Sequence, residues 1–127
     1  MRKYTFNKRD RLSSRKTIEK LLFRGNYFII HPFKIYWMFE SEYDSIAKFA
    51  ISIPKRKFKK AVTRNLIKRR TIEAYRKQKS AFYQTLQTYN KKIVLFLIYT
   101  SDHVSSYSEV EKKIETILQK LIRSIPK

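Results

Sequence analysis

The chain has 127 residues, enough for one domain with a modest core, and 43% of it is hydrophobic and 15% aromatic. Its 30 basic and 10 acidic residues leave a net charge of +20, which costs self-repulsion unless a polyanionic partner shares it. A complete lack of Cys excludes disulfides and thiolate metal sites and fits a reducing compartment, while a single Gly excludes a Gly-rich phosphate loop.

The opening MRKYTFNKRDRL lacks the apolar centre of a signal peptide, and no later run approaches the roughly 20 apolar residues of a membrane span. A cytoplasmic protein with no membrane partner is therefore expected. With neither internal repeats nor Gly/Ser linkers, residues 1–127 read as one RNA-binding domain. Residues 1–12 interleave Arg2, Lys3, Lys8, Arg9 and Arg11 with Tyr4 and Phe6. Composition leaves a frayed basic tail and an arm along a phosphate backbone equally open.

Ser13 or Ser14 caps a helix expected to reach about Phe23, where Gly25 stops it, with Ile18, Leu21 and Leu22 on its apolar side. From Pro32 to Glu40, Phe33, Ile35, Trp37 and Phe39 alternate with Lys34, Tyr36 and Met38, the pattern of a strand with one strongly buried face. On the second face Lys34 and Tyr36 pair a cation with an aromatic platform, a combination suited to single-stranded nucleic acid. The acidic stretch ESEYDS holds Glu40, Glu42 and Asp44 at alternate positions, which fits a solvated hairpin turn better than a metal loop. Lys48 to Pro54 is then expected to pair back antiparallel as the second strand.

Pro54 delivers the chain to a cationic loop, Lys55 to Lys60, in which only Phe58 is uncharged. A helix from about Ala61 to Lys77 follows, free of Gly and Pro. At 100° per residue, Arg64, Asn65, Lys68, Arg69 and Arg76 share one sector. Leu66, Ile67 and Ala74 lie on the other side, where Arg70 and Lys77 interrupt the apolar stripe. With Glu73 the only acidic neighbour, these cations repel one another unless an external polyanion lies between them. Guanidinium forks match phosphate oxygens, and an Asn can meet a base edge or a ribose hydroxyl.

Gln78 to Asn90 reads as a helical continuation and a turn. Lys92–Tyr99, KIVLFLIY, is a continuous apolar run expected as a central strand buried on both faces. In the loop Thr100–Ser106, Asp102 and His103 are adjacent but lack a third orienting group. Ser106 or Ser108 caps a last helix whose stripe is Val110, Ile114, Ile117, Leu118 and Leu121. The order is α-β-β-α-β-α, an α+β sandwich of helices packed on a small sheet.

Ser-Ile-Pro-Lys-Arg at 52–56, Lys-Lys-Ala-Val-x-Arg-Asn-x-Ile-Lys-Arg at 59–69 and Glu-Ala-Tyr-Arg at 73–76 together resemble the protein subunit of bacterial ribonuclease P. The match is dense over Ser52–Arg76 and weaker elsewhere. It implies that Arg64, Asn65, Lys68, Arg69 and Arg76, with Lys55, Arg56, Lys59 and Lys60, dock on a catalytic RNA. It also implies a cleft for the 5′ leader of precursor tRNA, formed by Lys34, Tyr36, Ile18, Leu22 and Ser52. At the positions of Ile18 and Leu22 the family often carries Phe, so leader contact through this helix would be van der Waals only. The resemblance further implies that the RNA subunit holds Mg²⁺ and performs the hydrolysis, leaving no catalytic residue and no metal site in this chain. It adds at most one short strand and makes the crossover left-handed, an exception to the usual rule.

Two departures stand out. The family commonly reads Arg-Asn-Arg where this chain has Leu66 third, and Arg70 and Ile72 fall where an apolar and a basic residue are usual. The rival readings are a ribosomal or assembly protein that binds structured RNA, a metal nuclease using Glu40, Glu42 and Asp44, and an anionic-membrane binder. The last needs an exposed amphipathic helix, and the apolar stripes here are committed to a core.

Overall fold

The computed structural model describes residues 6 and 8–126. Helix α1, Arg15–Arg24, starts at Ser14, whose hydroxyl accepts from the Thr17 amide at 3.3 Å. It stops at Gly25, whose N–H donates to the Leu21 carbonyl at 2.8 Å. A Cβ there would lie 2.5 Å from that same oxygen, so glycine is required by close approach.

Four strands form one sheet: β1 (Asn26–Ile30), β2 (Phe33–Phe39), β3 (Ala47–Ser52) and β4 (Ile93–Tyr99), in the order β1-β2-β4-β3. β1 and β2 make an antiparallel hairpin around the cis His31–Pro32 bond, and β1 supplies the extra short strand. β2 pairs antiparallel with β4, and β4 pairs parallel with β3.

The expected antiparallel pairing of Lys48–Pro54 with Pro32–Glu40 is therefore incorrect. β4 has apolar side chains on both faces, so it is most stable with a strand on each side and helices above and below. It takes the centre and displaces β3 to the edge. Glu40–Ile46 consequently forms a loop between non-adjacent strands rather than a hairpin turn. Outside β3, Arg11 bridges to Phe49 in parallel, and the Leu12 amide donates to the Phe49 carbonyl at 3.0 Å, covering part of the exposed edge.

Helix α2, Ala61–Thr88, runs unbroken past Lys77 through the helical continuation expected from Gln78. Tyr75, Lys79, Phe82 and Leu86 continue its buried stripe. Lys79 hides that stripe in the sequence, yet its ammonium is buried against Asp10 at 3.0 Å. Tyr83 donates to the other Asp10 oxygen at 2.9 Å, and the Tyr75 and Tyr83 hydroxyls lie 3.0 Å apart. Burial pushes both phenols well above the usual tyrosine range, so they stay protonated as donors. The N-terminal segment is thereby joined to α2: Phe6 packs edge-on against Phe49 and Tyr75, and Lys8–Asp10 forms a 3₁₀ turn. Of the first twelve residues, for which a frayed tail and an arm were equally open, Phe6 and Lys8 to Leu12 are part of the fold, while residues 1–5 and 7 lie outside the described residues.

Helix α3, Tyr107–Arg123, begins at a full capping box between Ser106 and Glu109 and buries the expected stripe. Helices α2 and α3 pack on each other and on the sheet face carrying Phe33, Ile35, Phe49, Leu95, Leu97 and Tyr99. On the opposite face α1 covers Val94 with Leu21, beside Leu12. The class is α+β, as expected, with three α-helices and a four-stranded mixed sheet among the described residues.

Candidate nucleic-acid interface

Because strand side chains alternate, register assigns neighbours on the α1 face. Tyr27, Tyr36, Phe96 and Ala50 form one row across β1, β2, β4 and β3, and Ile29, Lys34, Ile98 and Ser52 form the next. Helix α1 shields the adjoining Val94 completely but leaves Tyr27 60% and Ile29 63% exposed. The Tyr27 and Tyr36 rings lie 5.8 Å apart, and the Lys34 ammonium sits 4.6 Å and 5.0 Å from their centroids. The Tyr36 hydroxyl holds the Lys34 ammonium above the usual lysine range, so this cation is permanent at neutral pH.

Of the expected cleft residues, the structure brings Lys34, Tyr36 and Ile18 together on this face. Ile18 and Tyr36 are half-buried and pack on the Leu12–Leu21–Val94 cluster, whereas Leu22 is 45% exposed on the rim. Ser52 shares a row with Lys34 but is separated from it by Ile98. Two ring-bearing residues of this face, Tyr27 and Phe96, are missing from the sequence-derived set. Tyr27 lies in β1, whose sequence NYFII is apolar on both sides of its alternation, and Phe96 is indistinguishable from its neighbours in an unbroken apolar run.

The cationic loop is anchored by its one uncharged member. Phe58 is buried with its ring 5.9 Å from that of Tyr99, and Lys55, Arg56, Lys57, Lys59 and Lys60 are left exposed around it. Arg64 Nη1 donates to the Phe58 and Lys59 carbonyls at 2.7 and 2.9 Å, which braces the loop against the first turn of α2. Asn65, Lys68 and Arg69 are exposed along that helix. The first turn of α2 contains no acidic residue, so its amide dipoles add to the cationic field.

The basic sector is not uniform. Arg76 clasps Glu73 with two bonds of 3.0 and 2.6 Å, and Lys77 reaches the same carboxylate at 3.8 Å. Arg76 holds the Glu73 carboxyl below the usual carboxylate range. Arg70, which interrupts the apolar stripe, donates from Nη1 to the Ser105 carbonyl at 2.7 Å and ties α2 to the loop before α3. Exposed cations and the Asn thus gather at the loop and the first turns, while Arg64, Arg70 and Arg76 are braced.

The acidic loop does not assemble a centre. Glu40 pairs with Lys20 at 3.1 Å, and no group of three or more His, Asp or Glu able to hold a metal occurs among the described residues. Asp102 and His103 lie 3.4 Å apart on the surface, and both are largely exposed. No described helix is long and apolar enough to cross a membrane.

A sequence model of the protein family described as Ribonuclease P matches residues 6–122. The chain belongs to the ribonuclease P protein family. Its curated relatives include the ribonuclease P protein component of Porphyromonas gingivalis, 26% identical over 124 residues that cover 97% of this chain and 90% of the relative. The fold matches the RNase P protein of Staphylococcus aureus with a TM-score of 0.72 at 19% identity, covering 88% of this chain and 94% of the other. It matches that of Thermotoga maritima with a TM-score of 0.68 at 17% identity, covering 87% and 96%. As a member of this family, the chain is a protein component of the ribonuclease P endoribonuclease, which removes the 5′ leader of tRNA precursors. The reading as a ribosomal or assembly protein is not favoured.

Proposed function

We propose that the two surfaces divide the labour of the ribonucleoprotein. The loop cations Lys55, Arg56, Lys59 and Lys60, with Asn65, Lys68 and Arg69, dock on the catalytic RNA, and Arg64 positions the loop that carries four of these seven. The sheet face of Tyr27, Lys34, Tyr36 and Phe96, flanked by Ile18, Leu22 and Ser52, takes the single-stranded leader of precursor tRNA. The observation that carries this reading is the Tyr27–Tyr36 pair beside the Lys34 ammonium, an aromatic pair open at Tyr27 and half-buried at Tyr36, with a permanent cation on a sheet face. Arg76 contributes through its clasp on Glu73 and serves the helix surface rather than direct contact.

The chain's own residues do not fit a resident Mg²⁺, because Glu40 is paired with Lys20 and the net charge of +20 disfavours cation binding. Magnesium and the hydrolytic step belong to the RNA subunit on this reading. The protein lowers repulsion between two RNA backbones and lengthens the stay of the leader, in the cytoplasm where tRNA precursors are processed.

The test is cleavage of precursor tRNA at low Mg²⁺ by the catalytic RNA of ribonuclease P, with and without this protein. The expected result is a protein-dependent gain with no cleavage by the protein alone. Cleavage by protein alone, or no gain when it is present, overturns the reading.

A further inference from the structure

A groove of about 420 Å³ opens between α2 and the start of α3, lined by Leu66, Arg69, Arg70, Ile72, Glu73 and Tyr107. Its size lies within the roughly 300–1,000 Å³ of sites that enclose small planar ligands. The lining is mostly apolar and combines two aliphatic side chains with one aromatic ring.

Each wall is braced. Arg70 holds the loop before α3 through the Ser105 carbonyl, and the Tyr107 hydroxyl donates to Glu111 at 3.3 Å. Glu73 is engaged by Arg76 and Lys77. Arg69 is exposed and forms no hydrogen bond or ion pair with any described residue. The groove thus has an apolar and aromatic lining, one occupied carboxylate and one open guanidinium at its mouth.

We infer that this groove receives one unstacked nucleobase of the catalytic RNA, with the adjoining phosphate on Arg69 and Lys68. The open surface of the lining is mostly carbon, with the Arg70 guanidinium engaged by the Ser105 carbonyl and the Glu73 carboxylate by Arg76 and Lys77, so a phosphate finds its partner only at Arg69. A base presents two apolar faces and sheds little hydration on entering. An apolar peptide side chain has the right size, but a net charge of +20 and a rim of exposed cations select a polyanion. The groove is continuous with the docking surface through Arg69, one helical turn beyond Asn65. Leu66 and Ile72 meet here as its aliphatic walls.

This inference rests on the proposed docking to catalytic RNA, and Ile72→Phe separates the two. The larger ring narrows the groove at its aliphatic wall without changing charge. Affinity for the catalytic RNA, measured across a salt series, should fall about 5- to 150-fold, the equivalent of one lost base stack, with an unchanged salt slope. Because the chain has no Cys, a photo-cross-linker attached at Ile72→Cys provides a second readout. In the assembled particle it should mark one nucleotide of the catalytic RNA. Unchanged or tighter affinity of a folded Ile72→Phe, cross-links scattered over many nucleotides, or adducts to protein instead of RNA overturn the groove assignment while leaving the docking reading intact. Failure of the unsubstituted protein to bind catalytic RNA overturns both.

Discussion

Tyr27→Ala is the cleanest perturbation of the leader cleft. Tyr27 is 60% exposed on an edge strand, so its removal should change folding stability by no more than about 0.5 kcal/mol, the usual range for surface positions. It supplies one of two neighbouring rings and the closer of the two aromatic partners of Lys34, at 4.6 Å against 5.0 Å. One base stacked on an aromatic ring is worth about 1–3 kcal/mol, so the assembled enzyme should bind precursor tRNA about 5- to 150-fold more weakly. Mature tRNA lacks the leader, and its affinity should stay the same. Tyr27→Phe keeps the ring and should retain most of the binding, because stacking rather than the hydroxyl carries the contact. The assay is equilibrium binding of both tRNAs to the holoenzyme, with cleavage blocked by replacing Mg²⁺ with Ca²⁺. Equal losses for the two tRNAs, or none for either, would refute the assignment of this face to the leader.

Three further outcomes follow from other contacts. Lys68→Ala should reduce the slope of log affinity against log salt for catalytic RNA by about 0.7–0.9, the contribution of one phosphate contact, which a salt titration measures. Lys79→Met removes the buried 3.0 Å ion pair with Asp10 and should destabilise the fold by about 3–5 kcal/mol in urea unfolding, whereas adding Asp10→Asn should restore part of that loss. The Ser106 amide and hydroxyl hold the Glu109 carboxyl below the usual carboxylate range, and Arg76 does the same for Glu73. Their folded values lie below the unfolded ones, so their contribution is fully present above the usual carboxylate range and is lost as pH falls through the depressed values. Melting temperature should therefore drop on acidification below about pH 4.5, and Glu109→Gln should make that drop shallower in a series of thermal melts.

Local signals determined much of this protein. Ser14 and Gly25 bound α1, Ser106 opens α3, and the five-residue stripe of α3 is buried as its spacing demands, because caps and helical periodicity act within a few residues. Net charge and the basic first turns of α2 indicated a polyanionic partner, since charge cannot be concealed in composition. Tertiary structure alone decided what depends on distant partners. Lys79 belongs in a buried stripe only because Asp10 lies 69 residues away in sequence and 3.0 Å away in space, so the helical continuation past Lys77 was legible but its burial was not. The sheet order followed from the need of β4 for a neighbour on each side, a competition among strands that no single strand records. Tyr27 and Phe96 joined Tyr36 through register across three strands, and a ring becomes a platform only where α1 leaves it uncovered. Pairing and coverage are properties of the whole fold, and they turned a scattered set of aromatics into a surface.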